Sequence, residues 1–312
     1  MTRRIMILGI GAAAILAAVF GINATYLVPR TSYLEPNTPY EVPSTKYAVS
    51  IPINADTFID RNAFFSTGSA TGTALVGMPI AGVVNHHVLA ADLISRFFRT
   101  LKASRPDVKR FIILSPDHFK AGTDTVMVGD VAFTSDGKTV KTDADAVQTL
   151  ISGHLASLAD RRLFEKEHGI GALMPFLIRD FPDVSVVPIV IRADVPRDRM
   201  DALGVELSRL VADGKTFVIV SSDMSHYLVE GEALRNDAET MTWLASLDRD
   251  RFRSATDDYT DSGPALVAVS SMFVALKSTP TFTVTGHSIS SRYGGDPSYT
   301  TSYIDGFWNV AD

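Results

Sequence analysis

The sequence predicts an α/β fold: a central, mostly parallel sheet flanked by helices on both faces. Three observations predict it. From residue 79 onward, short apolar runs alternate with helix-length segments, the pattern of strands joined by crossover helices. One of those segments, 88–103, repeats Leu89, Leu93, Phe97 and Leu101 at helical spacing, with Ile94 and Phe98 beside them. The 312 residues are 46% hydrophobic and 21% charged, enough apolar content for a sizeable core.

Taken in order, residues 27–60 read as an irregular tether, because Pro29, Pro36, Pro39, Pro43 and Pro52 interrupt any regular helix. Residues 63–76 read as a loop or short strand. Ile80 to Val84 is a short apolar run, 88–103 a helix, and "RFIILS" (110–115) a strand. Residues 126–133 and 138–142 are expected to form a hairpin around Asp136-Gly137. Helices are expected over 144–160, 170–181, 197–212, 231–251 (with a break) and 264–277. "VSVVPIVI" (184–191), "FVIV" (217–220), "TFTVTGH" (281–287) and "TTSYIDGFW" (300–308) read as strands.

The N-terminus carries a separate signal. Arg3 and Arg4 precede eighteen uncharged apolar or small residues, Ile5 to Ile22, long enough to cross a bilayer as a helix. The two arginines place the tail in the cytoplasm and the remainder outside. A cleaved signal peptide is the rival reading, but the apolar stretch is long for one and "GINATYL" is a poor cleavage site. Either way the main domain is expected outside the cytoplasm, membrane-anchored or secreted. The expected organisation is an anchor or signal peptide over 1–28, a Pro-rich tether and irregular segment over 29–76, and an α/β domain over 77–312. A net charge of −6 argues against a nucleic-acid partner. The absence of cysteine excludes disulfides, thiolate metal ligands and a cysteine nucleophile.

Three of the strands run into histidine: "AGVV" into Asn85-His86-His87, "RFIILSP" into Asp117-His118, and "FVIVSSD" into Met224-Ser225-His226. Ligands of open α/β sheets bind outside the carboxyl ends of the strands, so parallel neighbours would bring these segments to one rim. His168, in "EKEHGI", sits just before a helix and belongs to the same candidate group. Each residue also has a plain structural reading; Asp223, for one, can cap the next helix. His154 reads as a surface residue, and His287, without an acid beside it in the sequence, as structural. In "TDSGPALVAV", Pro264 suits a first helical turn, so Asp261 and Ser262 lie at a helix start. Asp261 can cap that helix or complete a two-histidine, one-carboxylate metal set. Imidazole and carboxylate without thiolate suit iron, zinc or copper. There is no G-x-S-x-G elbow, no P-loop and no H-E-x-x-H, which argues against a serine hydrolase, a P-loop enzyme and a zincin.

The ordered segments "VVNHHVLAADLI", "FIILSPDHFKAGTD", "KEHGIGALMPFL", "VPIVI" and "VIVSSDMSHYL" resemble the Memo family, also called AmmeMemoRadiSam system protein B, over roughly residues 78–307. That family is similar in fold to the class III extradiol dioxygenases, which use non-haem iron. The resemblance implies metal ligands at His86 (or His87 if the segment slips by one) and His118, with Asp223, His226 and His168 beside the metal. The family's cysteine ligand position falls on Ser262, so Asp261 is the alternative third ligand, and the harder donor set favours Fe(II) over copper. Asn85 and Phe119 also depart from the family text. Acid–base work is expected of His226 or His168, with Asp223 orienting His226. The resemblance further implies a small-molecule substrate and a functional link to radical-SAM and AMMECR1-like proteins. Three activities compete: a metal-dependent, dioxygenase-like redox enzyme; a non-catalytic binding scaffold on the same fold; and a metal-dependent hydrolase, for which the strand ends offer few carboxylates.

Overall fold

A computed structural model describes residues 51–69 and 71–311. The strands are β1 (Ile53–Asn54), β2 (Met78–Val84), β3 (Arg110–Pro116), β4 (Val126–Val128), β5 (Phe133–Ser135), β6 (Lys138–Thr142), β7 (Ser157–Leu158), β8 (Ser185–Ile191), β9 (Thr216–Ser221), β10 (Thr281–Ile289) and β11 (Ser302–Val310). The helices are α1 (Arg61–Ser66), α2 (Ala91–Ser104), α3 (Ala144–Ser152), α4 (Arg161–Phe164), α5 (His168–Gly171), α6 (Met174–Asp180), α7 (Arg197–Val211), α8 (Glu230–Ser246), α9 (Arg249–Ser254) and α10 (Gly263–Leu276).

The sheet runs β1-β5-β6-β8-β3-β9-β2-β11-β10. Its centre, from β6 through β8, β3 and β9 to β2, is parallel, and β11 and β10 extend it antiparallel. Successive residues of a strand face opposite sides, and both sides are covered. Ile112 and Leu114 of β3 enter one core, with α7 and α10; Phe111 and Ile113 enter the other, with α2 and α6. Burying each such side chain contributes roughly 1.5–3 kcal/mol, so two cores fix the register firmly. Pro188 lies inside β8 at a position that tolerates it. Its carbonyl accepts from Gly129 N–H on the side where β6 hands over to β4, so the missing N–H falls in the gap between two partners.

Several local expectations are corrected. The hairpin is β5–β6, closed by Asp136 and Gly137 at φ 47° and 74°, the left-handed pair that a two-residue turn requires. β4 belongs elsewhere, antiparallel to β8. The helix expected over 144–160 stops at Ser152, and the chain continues through His154 (φ 55°) into β7. Residues 53–69, expected to be irregular, form β1, short helical turns and α1; Ile53, Ala55 and Phe64 are buried in the core.

The expected membrane-anchored or exported placement is also corrected. Among the described residues, no helix is long and apolar enough to cross a membrane. The apolar run 5–22 and the first part of the tether lie outside the described residues.

Candidate metal centre

β3, β9 and β2 are adjacent and parallel, with Val84 in register with Ser221 and Leu114 with Val220. Their carboxyl ends therefore deliver His86, His118 and the 222–226 segment to one rim, and α5 brings His168 across from β3. The rings meet there: His86 and His118 have centroids 4.7 Å apart, His86 and His168 5.3 Å, and His118 and His168 3.9 Å. These three residues each offer one nitrogen, all within 4.8 Å of one another, a group that can hold a metal ion.

The hydrogen bonds behind the rings set their tautomers. His86 Nδ1 lies 3.0 Å from Ser221 Oγ, whose own proton goes to the Gly169 carbonyl at 2.5 Å, so Nδ1–H is the donor. His118 Nδ1 donates to Glu167 Oε1 at 2.6 Å, and His226 Nδ1 to the Met224 carbonyl at 2.6 Å. All three rings are thus pinned through Nδ1 and turn Nε2 forward, as ligating histidines do. The three Nε2 atoms lie 3.3, 3.5 and 3.9 Å from one atom, Asp261 Oδ2. That oxygen is buried and accepts no hydrogen bond. The other, Oδ1, is held by Ser222 Oγ at 3.1 Å.

Charge follows geometry. Burial alone would lower the His118 imidazole, but the Asp261 and Glu167 carboxylates override it and raise it to about 10. Burial likewise opposes protonation of His86, and Asp223 and Asp261 win, holding it above its ordinary value. Burial would lift Asp261 and Glu167, but the imidazoles of His86 and His118 hold the first down and that of His118 the second. His168 goes the other way: burial and the charges of His118 and His86 push it down to about 4, so its ring is neutral at pH 7.

The remaining expected residues take other places. His87 faces the same cavity but bonds Tyr303 Oη through Nδ1 at 2.8 Å. Ser262 Oγ donates to the Ser221 carbonyl at 2.6 Å and lies 2.9 Å from Asp261 Oδ1, which leaves Asp261, through Oδ2, as the member of the pair that faces the imidazoles. Asp223 does not orient His226. Its Oδ1 accepts the His86 and His87 backbone N–H groups at 3.1 and 3.4 Å and so ties β9 to β2, while a backbone carbonyl orients His226. His154 is exposed. His287, read as lacking an acid, has one from far along the chain: its Nε2 is 2.7 Å from Asp237 Oδ2. Glu167, Ser221 and Phe58 are contributors that the sequence reading missed. Glu167 left a signal as the acid immediately before His168, and Ser221 as the first serine of "SSDMSH" at its strand end; Phe58 left none.

The rings open into a cavity of about 430 Å³ whose lining combines histidines with apolar side chains such as Phe58, Val88 and Phe119. The profile of the Memo-like protein family matches residues 76–307. A MEMO1 family protein of Pyrobaculum aerophilum is 30% identical over 185 residues, covering 57% of this chain and 62% of that protein. One of Nitrosopumilus maritimus is 22% identical over 232 residues, covering 73% of this chain and 82% of the relative. The chain thus spans a little under two thirds of the first of these relatives, at 62% of its length. The crystal structure of an uncharacterized protein from Escherichia coli K12 is similar at a TM-score of 0.48 and 14% identity, over 73% of this chain and 99% of that one.

Proposed function

Because the chain belongs to the Memo-like protein family, we propose that its histidine cavity is a metal-dependent ligand site, in which His86, His118 and Asp261 hold a divalent metal. One observation carries the reading. Imidazoles pinned through Nδ1 present Nε2 to a single buried carboxylate oxygen that no hydrogen bond satisfies. A buried carboxylate needs a cation beside it; in the metal-free protein the raised imidazoles of His86 and His118 supply that charge, and a metal ion would take the place of their Nε2 protons. Two donor atoms each about 2.1 Å from one ion lie about 3.4 Å apart at the tetrahedral angle. The contacts of 3.3 and 3.5 Å fit that spacing.

The donor set, imidazole and carboxylate without thiolate, favours Fe(II) over copper; zinc also accepts it. When bound, such an ion supplies Lewis acidity, and iron adds one-electron redox chemistry of the dioxygenase-like kind. The protein's own groups do the positioning. Glu167 and Ser221 fix the tautomers of His118 and His86. His168, neutral and lining the cavity, can accept a hydrogen bond from a bound ligand.

Anaerobic loading with Fe(II) followed by metal analysis tests this. Wild type should retain about one equivalent, His118→Ala essentially none, Asp261→Asn a small fraction, and His168→Ala most of it. Loss in His168→Ala with retention in Asp261→Asn would make His168 the third donor. Equally metal-free wild type and His118→Ala would refute the reading.

A further inference from the structure

The family match begins at residue 76, yet one wall of the cavity comes from before it. Phe58 lines the cavity together with the histidines and with Val88, Phe119, Ala172 and Tyr227. The segment that carries Phe58 is built, not draped. Ile53 N–H donates to the Ala132 carbonyl at 2.7 Å, and β1 runs parallel to β5. Ile53 and Ala55 are buried at 4% and 0% exposure, which anchors the turn on both sides of Asn54. Asn54 Oδ1 caps the turn by accepting Asp56 N–H at 3.1 Å, and Asp56 Oδ1 accepts from Ser135 Oγ at 2.5 Å. On the far side, Gly171 leaves the space the ring needs: a Cβ there would fall 2.5 Å from Phe58. The aromatic ring is thus clamped at the cavity wall, with its own segment behind it and a glycine of the histidine-bearing helix beside it.

Resting on the reading of this cavity as a ligand site, we infer that Phe58 is a specificity-determining residue, and that the ligand is a small molecule with a polar head and an apolar body. The head meets the imidazoles and the body lies against Phe58. A ligand with no apolar body leaves that wall facing water and forgoes the burial it offers.

The full chain, metal-free and loaded with Zn(II), is titrated calorimetrically with acetohydroxamate and benzohydroxamate, which share a head and differ in body. Wild type should prefer benzohydroxamate by about tenfold in either state. Phe58→Ala should cut the preference to about twofold or less, with acetohydroxamate affinity and metal content unchanged. Phe58→Trp, which keeps an aromatic anchor but fills the space, should weaken benzohydroxamate by about fivefold and leave acetohydroxamate alone; it also serves where the alanine variant does not fold. No wild-type preference between the hydroxamates, or a preference that neither variant changes, overturns the inference. Should Zn(II) strengthen neither hydroxamate while the Phe58-dependent preference persists without metal, the metal reading fails and this one stands.

Discussion

Metal uptake by this site should be coupled to proton release, and the number of protons follows from the structure. In the metal-free protein His118 is held up to about 10 and His86 above its ordinary value, so at pH 7 the His118 ring carries a proton on the Nε2 that must face a metal. Removing that proton at pH 7, about three units below, costs roughly 4 kcal/mol, or about a thousandfold in apparent affinity. Asp261 and Glu167 are held down and release none, and neutral His168, at about 4, releases none even if it ligates. The expected count is between one and two protons per ion, and affinity should rise about ten- to a hundredfold per pH unit between about pH 6 and 8. Calorimetric titration with Zn(II) in two buffers of different ionisation enthalpy measures the count directly. Glu167→Gln removes one of the two carboxylates that hold His118 up, so its proton count at about pH 8 should fall and its pH profile flatten. The sign for stability is the reverse of that for metal binding. A histidine raised above 6.5 stabilises the metal-free fold fully below 6.5 and loses that contribution as pH climbs toward about 10. A proton count near zero, or an affinity flat over this window, would refute the charge assignment and the metal-facing role of Nε2 together.

Two further outcomes are expected. Asp305 of β11 is fully buried; burial lifts its carboxyl to about 8 against the opposing Asn85 N–H bond, and its Oδ2 is unpaired. A raised carboxyl makes the fold hold a proton that the unfolded chain gives up, so stability falls by about 1.4 kcal/mol per pH unit from about 4 to about 8. Asp305→Asn abolishes that slope at a fixed cost of about 1–3 kcal/mol for its unpaired amide, so the variant is less stable near pH 5 and gains on wild type toward pH 8. Urea unfolding at several pH values checks it, and a pH-independent difference would sink it. At Gly169, an added Cβ would lie 2.2 Å from Ser115 Oγ and 3.2 Å from His118 Cε1. Gly169→Ala should therefore cost about 1–3 kcal/mol in thermal unfolding and at least about tenfold in metal affinity. Gly68→Ala, with nothing within 4 Å of the new Cβ, is the control for a bare glycine replacement.

How far each feature is legible in the sequence depends on the range of the interaction behind it. The strands that become β2, β3, β8 and β9 and the helices that become α2, α7 and α10 can be read because burial on both faces imposes local apolar runs and periodicity. The arrival of histidines at strand ends is likewise local, so the candidate rim can be assembled in advance from "NHH", "PDH" and "SSDMSH". Residues 126–160 are misread where pairing partners, not composition, decide: β4 is a strand because β8 offers it an edge. Residues 53–69 are misread because the hydrogen bonds and core contacts that order them come from β5 and the α6 side of the core.

The sequence by itself determined the α/β class, the absence of thiolate chemistry and the set of imidazoles available for a site, since these follow from composition and short-range pattern. Only the tertiary structure decided that Asp261 and not Ser262 faces those imidazoles, that Glu167 and Ser221 pin the rings, that Asp237 partners His287, and that Phe58 walls the cavity. Most of these contacts join residues tens of positions apart, and in the Asp261–Ser262 choice two adjacent polar groups compete for the same direction. Such outcomes are set by which buried oxygen or ring finds a partner once the sheet is assembled, a quantity that no local stretch of chain encodes.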